Sequence, residues 1–288
     1  MKSTSLSCVW FSLLLAFCPL PAVAYEARID VDAALTKHPV NRLILGSNIQ
    51  WVDLGDGIIS PDRTFRPAML AAAEKVGPTA LRYPGGSHAD LYRWQDGVGQ
   101  QRGKGEHFFN GATQPVEFGT DEFMQLCARL GAQPIFTVNV ASATAQDAAD
   151  WVRYVSSPER PRAPAAQWWE IGNEPYLRED RRKALALGAD EFVRRAQPIM
   201  DAMRAQNPSL KVGIPLRSDR LGGRPATPYP GFNDKVLSQL HDIDFVSLHD
   251  AYAPATFNEK YSDKDLFLAL MAAPDQVAED FQKTREQL

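Results

Sequence analysis

Six short apolar segments recur along this chain, at 43–48, 80–83, 134–140, 168–173, 211–215 and 245–249, and each gap between them is long enough to hold a helix. A strand that returns parallel to its neighbour needs such a crossover. The rhythm therefore predicts β-α units wound around a parallel sheet. A doubly wound sheet carries a glycine-rich phosphate turn after its first strand, and none follows 43–48. A barrel instead gathers polar groups at the C-terminal ends of its strands. Asn48 and Gln50, Arg82 and Ser87, Asn139, Asn173 and Glu174, and His249 and Tyr252 all fall there. The expected fold is α/β, a (β/α)8 TIM barrel.

The barrel is expected to be incomplete, with about six βα units. After His249 the chain offers 265–271 and 274–288, which both read as helices, and no further apolar strand. Upstream, Ala27-Arg28-Ile29-Asp30-Val31-Asp32 alternates as a strand but has no evident partner, and an isolated strand is not stable. The expected organisation is therefore a signal peptide at 1–24, a strand of a missing C-terminal β-sandwich at 25–40, and a partial barrel at 41–288. Helices are expected at 122–130, stopped by Gly131, at 145–155, and at 189–205 with a kink at Pro198. An open barrel leaves two bare edges, which predicts low solubility.

The first residues read as an export signal: Lys2, an apolar run from Val9 to Phe17, then Ala22-Val23-Ala24. The run is too short to cross a bilayer. Cleavage after Ala24 gives a secreted or periplasmic protein with no membrane partner, and removes Cys8 and Cys18. Cys127 then remains without a disulfide partner, as a small buried hydrophobe. A net charge of −4 carries no footprint for nucleic acid. The histidines at 38, 88, 107 and 241 show no paired ligand spacing, so neither a catalytic metal nor another cofactor is expected.

Trp168-Trp169-Glu170-Ile171-Gly172-Asn173-Glu174-Pro175 carries the chemistry. Period-two alternation sends Trp169 and Ile171 toward helices, and Glu170, Gly172 and Glu174 inward. In the sixth strand, Ser247 and His249 face inward by the same rule. Pro175 disfavours the helical region at Glu174 and predicts an extended backbone there. A carboxyl group on a fixed strand end suits proton transfer.

Several motifs then resemble family 51 of the glycoside hydrolases, best known for α-L-arabinofuranosidases. They are Arg82-Tyr83-Pro84-Gly85-Gly86, Tyr92-Arg93-Trp94-Gln95-Asp96-Gly97-Val98-Gly99, Phe118-Gly119-Thr120-Asp121-Glu122-Phe123, Trp169 to Pro175, and Ser247-Leu248-His249. Their order is right, and they cover most of the chain after the signal. The resemblance implies a retaining enzyme in which Glu174 is the acid and base and Asn173 binds the sugar's 2-hydroxyl. A second carboxylate, roughly 5 Å away, attacks the sugar carbon. The resemblance puts that nucleophile at the end of a seventh strand, so it is expected to be absent from these 288 residues, leaving them inactive alone. Glu259, Glu279 and Glu286 are not assigned the role.

Two departures concern the sugar. Gln50 stands where the family has a sugar-binding Glu, and Ser87 where it has Asn, which alters the hydrogen bonds on offer. Substrate-binding candidates are Asn173, Gln50, Ser87, Arg82, His249, Tyr252 and Trp94. Arg82 reads equally as an interior ion-pair partner, His249 as a satisfied core residue, and Trp94 as packing beneath the loop of 87–119. The expected substrate is a plant-type polysaccharide or oligosaccharide. The alternatives are a β-xylosidase or β-glucuronidase of the same clan, or a carbohydrate-binding relative without catalysis.

Overall fold

A computed structural model describes residues 28, 30–35, 39–158, 165–177, 185–217, 231–249 and 261–288. The export signal and Tyr252 lie outside them. In the alternating stretch 27–32, Arg28, Asp30, Val31 and Asp32 are exposed and form no strand. Among the described residues none pairs with them in a ladder, and alternation without a partner does not hold a strand.

The compact unit Asn41–Leu288 is built on one parallel sheet of six strands. In chain order these are β1 (Gly46–Asn48), β2 (Ala80–Tyr83), β5 (Gln133–Val138), β6 (Trp168–Ile171), β7 (Lys211–Leu216) and β8 (Phe245–Leu248). They lie side by side in that order, each paired parallel with the next, as in a barrel left open. A short antiparallel hairpin, β3 (Lys104–Glu106) and β4 (Thr113–Pro115), stands in the long loop after β2.

Helices fill the crossovers. The turn α1 (Asp53–Asp56) and helix α2 (Pro67–Val76) follow β1, α3 (Thr120–Leu130) precedes β5, and α4 (Ala145–Val155) follows it. Then come α5 (Ala189–Gln206) after β6, α6 (Phe232–Gln239) after β7 and α7 (Asp263–Gln287) after β8. Helix α3 starts two residues earlier than its apolar pattern implies. The Glu122 carboxylate reaches back to accept the Gly119 N–H at 2.9 Å and caps the first turn. Thr144 caps α4 by accepting the Asp147 N–H at 3.1 Å. Helix α5 continues through Pro198.

Two expectations change. Of the first apolar segment only Gly46–Asn48 is a strand. Arg42–Ile44 is a 3-10 helix, and Leu43, Ile44 and Leu45 are exposed. The Asn41 side chain, accepting the Leu43 N–H at 3.0 Å, supplies the local alternative to a ladder. The two C-terminal helices are one, because α7 runs through Pro274. Proline removes one intrahelical hydrogen bond, and here that loss does not interrupt the helix.

An aromatic layer binds the outer face of the sheet to its helices. Tyr83 stacks on Phe123 at 4.7 Å and Phe136 on Trp169 at 4.6 Å, while Trp151 of α4 meets Trp169 edge-on at 5.3 Å. Such pairs add about 0.5–1.5 kcal/mol each beyond the area they bury. Cys127 lies wholly inside this layer as a free thiol. With the apolar side chains turned outward, the inner face is left to Arg82, Thr137, Glu170 and Ser247.

Candidate functional site

Glu170, in the middle of β6, is the hub of that inner face and is almost wholly buried. Arg82 from β2 grips it through Nε at 2.7 Å and Nη2 at 2.6 Å. The Thr137 hydroxyl donates to it at 3.2 Å, the Ser247 hydroxyl also donates to it, and His249 Nε2 lies 2.7 Å from its other oxygen. Burial pushes the Glu170 carboxyl up. Arg82 first, then His249 and the Ser247 hydroxyl, outweigh that and hold it well below the usual carboxylate range. It is a fixed anion inside the sheet.

From this hub the contacts run upward to the strand ends. Arg82 Nη2 donates to the Asn173 side-chain oxygen at 3.1 Å, and Nη1 donates to Asn48 Oδ1 and the Gly85 carbonyl. The Asn173 amide nitrogen in turn donates to Glu174 at 3.4 Å. His249 Nδ1 stands 3.8 Å from the same Glu174 carboxyl. One arginine and one histidine thus connect a buried carboxylate to a half-exposed one.

The backbone at Glu174 differs from expectation. It is left-handed, with φ 46°, and not extended. Pro175 keeps residue 174 out of the right-handed helical region, but the chain has already turned off the strand at Gly172, whose φ is 81°. A Cβ at Gly172 would lie 2.4 Å from Val140, so only glycine fits. A non-glycine residue in this region costs on the order of 1–3 kcal/mol, and such residues cluster at functional sites.

Glu174 opens into a small cleft with Ser87, Asp90, Phe108, Asn173, Leu177, Leu185 and Ala186. Its volume, about 20 Å³, holds one water-sized group. Asn173, Glu174 and Ser87 therefore meet as expected, with Arg82 and His249 behind them as partners of Glu170. Gln50 does not line the cleft. Its amide donates to Asp56 at 3.2 Å and its side chain lies against Gly85, where a Cβ would come within 2.8 Å of it. Trp94 is elsewhere too. It donates to the Asp147 carbonyl, packs on Tyr154 and lines a separate cavity of about 250 Å³ with Tyr92, Asn139 and Trp151.

Sequence reasoning missed Glu170 and Asp90 as members of the site. For Glu170 a signal existed, since alternation puts it on the same face as Glu174. Asp90 lies in the 3-10 helix Ser87–Leu91 and had none. Among the described residues no group of three or more His, Cys, Asp or Glu side chains is arranged to hold a metal ion.

A parallel barrel-type sheet with a polar inner face and an Asn-Glu pair where its central strand ends is the layout of the barrel glycoside hydrolases. The chain belongs to the family described as the alpha-L-arabinofuranosidase 1 domain, whose pattern matches residues 72–265. It is 30% identical over 198 residues to a probable alpha-L-arabinofuranosidase C of Aspergillus fumigatus, covering 64% of this chain and 37% of that protein. With the exo-alpha-(1->6)-L-arabinofuranosidase of Bifidobacterium longum it shares 26% over 276 residues, 86% of this chain and 51% of the other. The solved family 51 arabinofuranosidase of Thermotoga petrophila superposes with a TM-score of 0.61 at 28% identity, over 73% of this chain and 46% of that one. The chain thus spans about half, or less, of the length of these relatives.

Proposed function

We propose that this chain carries the proton-transfer half of an exported, retaining α-L-arabinofuranosidase that acts on plant-type polysaccharide or oligosaccharide. The observation that carries the reading is the Asn173–Glu174 pair at the mouth of the sheet, tied by Arg82 and His249 to the buried Glu170 anion. Glu174 protonates the leaving oxygen as the glycosidic bond breaks, then takes a proton from the water that releases the sugar. Asn173, held by Arg82, presents its amide to the sugar's 2-hydroxyl.

A retaining reaction also needs a carboxylate nucleophile. Glu170 is not available, because both of its oxygens are occupied. Asp90 is buried, and burial favours its protonated, non-nucleophilic form. Among the described residues neither buried carboxylate beside Glu174 can serve as the nucleophile, and on this reading the 288 residues by themselves do not turn over substrate.

The test supplies the missing nucleophile from solution. With azide present, the chain is expected to release phenol from phenyl α-L-arabinofuranoside: azide bonds to the anomeric carbon, the glycosidic bond breaks, and Glu174 gives its proton to the leaving phenolate. Glu174→Gln should slow this at least a hundredfold. No release with azide, or the same release from the variant, would sink the assignment.

A second reading keeps the chemistry and changes the sugar to one taken by a β-xylosidase or β-glucuronidase. It is favoured by Ser87 in the cleft and by Gln50 turned to Asp56. Phenyl β-xyloside and phenyl β-glucuronide in the same assay separate the two. Sugar binding without azide-dependent release would indicate a non-catalytic relative.

A further inference from the structure

Asp90 has no place in the chemistry so far, yet it shares the cleft with Glu174. Its side chain is buried, with 6% of the residue exposed, and Oδ1 has no hydrogen-bond partner among the described residues. An unpartnered buried oxygen is costly, and proteins keep few of them without a use. Around the carboxyl stand the Asn173 backbone N–H, the Arg82 cation and the Glu174 and Glu170 carboxyls. Arg82 makes its hydrogen bonds with Glu170, Asn173, Asn48 and Gly85, so among the described residues Asp90 has no ion pair of its own.

We propose that Asp90 is a further ligand for the sugar bound over Glu174, its free oxygen completing a hydrogen bond with a hydroxyl group seated in the cleft. The inference rests on the carbohydrate reading of that cleft. The space suits a hydroxyl, since it takes one water-sized group between Ser87, Asp90, Asn173 and Glu174. Burial pushes the Asp90 carboxyl well above the usual range, against the opposing pull of the Asn173 N–H and of Arg82. A protonated acid both donates and accepts, as a hydroxyl does, so the two form a matched pair. A carboxylate at this point would only accept, and would add a negative charge beside Glu174 and Glu170.

The test is binding of methyl α-L-arabinofuranoside to the full 288-residue chain, followed by ligand-observed NMR titration alongside thermal melting. Asp90→Ala should weaken binding at least tenfold, while its Tm shows only the net of deleting an unsatisfied oxygen and leaving the Asn173 N–H without its acceptor. Asp90→Asn, which still donates and accepts, should stay within about threefold of wild type. Equal binding by all three proteins, or a lower Tm in Asp90→Ala with unchanged binding, would overturn the proposal and leave the sugar reading standing. No binding by the wild-type chain would remove the sugar reading and this one with it. Should Asp90→Ala not fold, infrared spectroscopy of the wild type decides: the band of a protonated carboxyl, absent in Asp90→Asn, must shift when the sugar is added, and an unmoved band counts against the proposal.

Discussion

The middle of the sheet and its two margins are made of similar residues and reach different states. In β5, β6 and β7 the side chains of Phe136, Trp169, Ile171, Val212 and Ile214 are wholly buried. At one margin β1 is exposed along its length, and Leu43, Ile44 and Leu45 just before it face water. At the other, β8 is half-buried, and α7 exposes Phe267, Leu268, Leu270 and Met271. A central strand has a partner on each side and helices over its outer face, so it loses water from three directions. A marginal strand has one partner. Burial here follows neighbours more than composition, and the candidate site draws on both regions: Glu170 and Glu174 come from the middle, Ser247 and His249 from the margin.

The sharpest way to break this contrast is Glu170→Ala, which leaves Arg82 without its carboxylate inside the sheet. A loss of about 3–5 kcal/mol is expected in urea unfolding of the chain, and a loss below about 1 kcal/mol would mean that the middle is not anchored there. Trp169→Ala should follow, at about 3 kcal/mol or more, since it opens a void between Phe136 and Trp151. A full-sized effect from the marginal Phe267→Ala instead would reverse the ranking of the two regions.

Acid should loosen the chain in two steps, one beside the sheet and one within its middle. Burial first, and then its neighbour His107, lower the His88 imidazole to about 4. The unfolded chain takes this proton near pH 6.5 and the folded chain resists it, so stability falls as pH drops from about 6.5 to 4. Glu170 has the opposite charge and a depressed folded affinity. Its contribution is present above about pH 4.3 and is lost as pH falls below that. Melting temperatures from pH 8 to 3 should show both declines, and His88→Phe should remove only the first. A variant that keeps the decline between 6.5 and 4 would clear His88 of the role. Smallest of all, Leu268→Ala on α7 should change stability by no more than about 0.5 kcal/mol. A larger loss would show that this face is covered in solution.

Much of the middle was legible in the sequence. Strand β2 and helix α4 run over the residues that their patterns implied, because a strand's alternation and a helix's apolar stripe are local, and neighbours on both sides reward them. At the margins the same reasoning overreached. Just before β1 the chain took a 3-10 helix over Arg42–Ile44 where a strand was expected, and Pro274 failed to divide α7. In the candidate site, the cleft brings together Asn173, Glu174 and Ser87, which motif and position had singled out. The left-handed backbone at Glu174 was not, because Gly172 turns the chain one step before Pro175 acts on it.

The order of strands and helices, the outward turn of Trp169 and Ile171, and the Asn-Glu pair at the end of β6 follow from the sequence alone, since each depends on residues a few positions apart. Which inward groups meet was decided by the tertiary structure. Arg82 and Glu170 are 88 positions apart, and Glu170 and His249 are 79. Only the pairing and curl of the sheet bring them within hydrogen-bond distance. There, out of water, charge and hydrogen bonding outweigh the cost of burying a carboxylate.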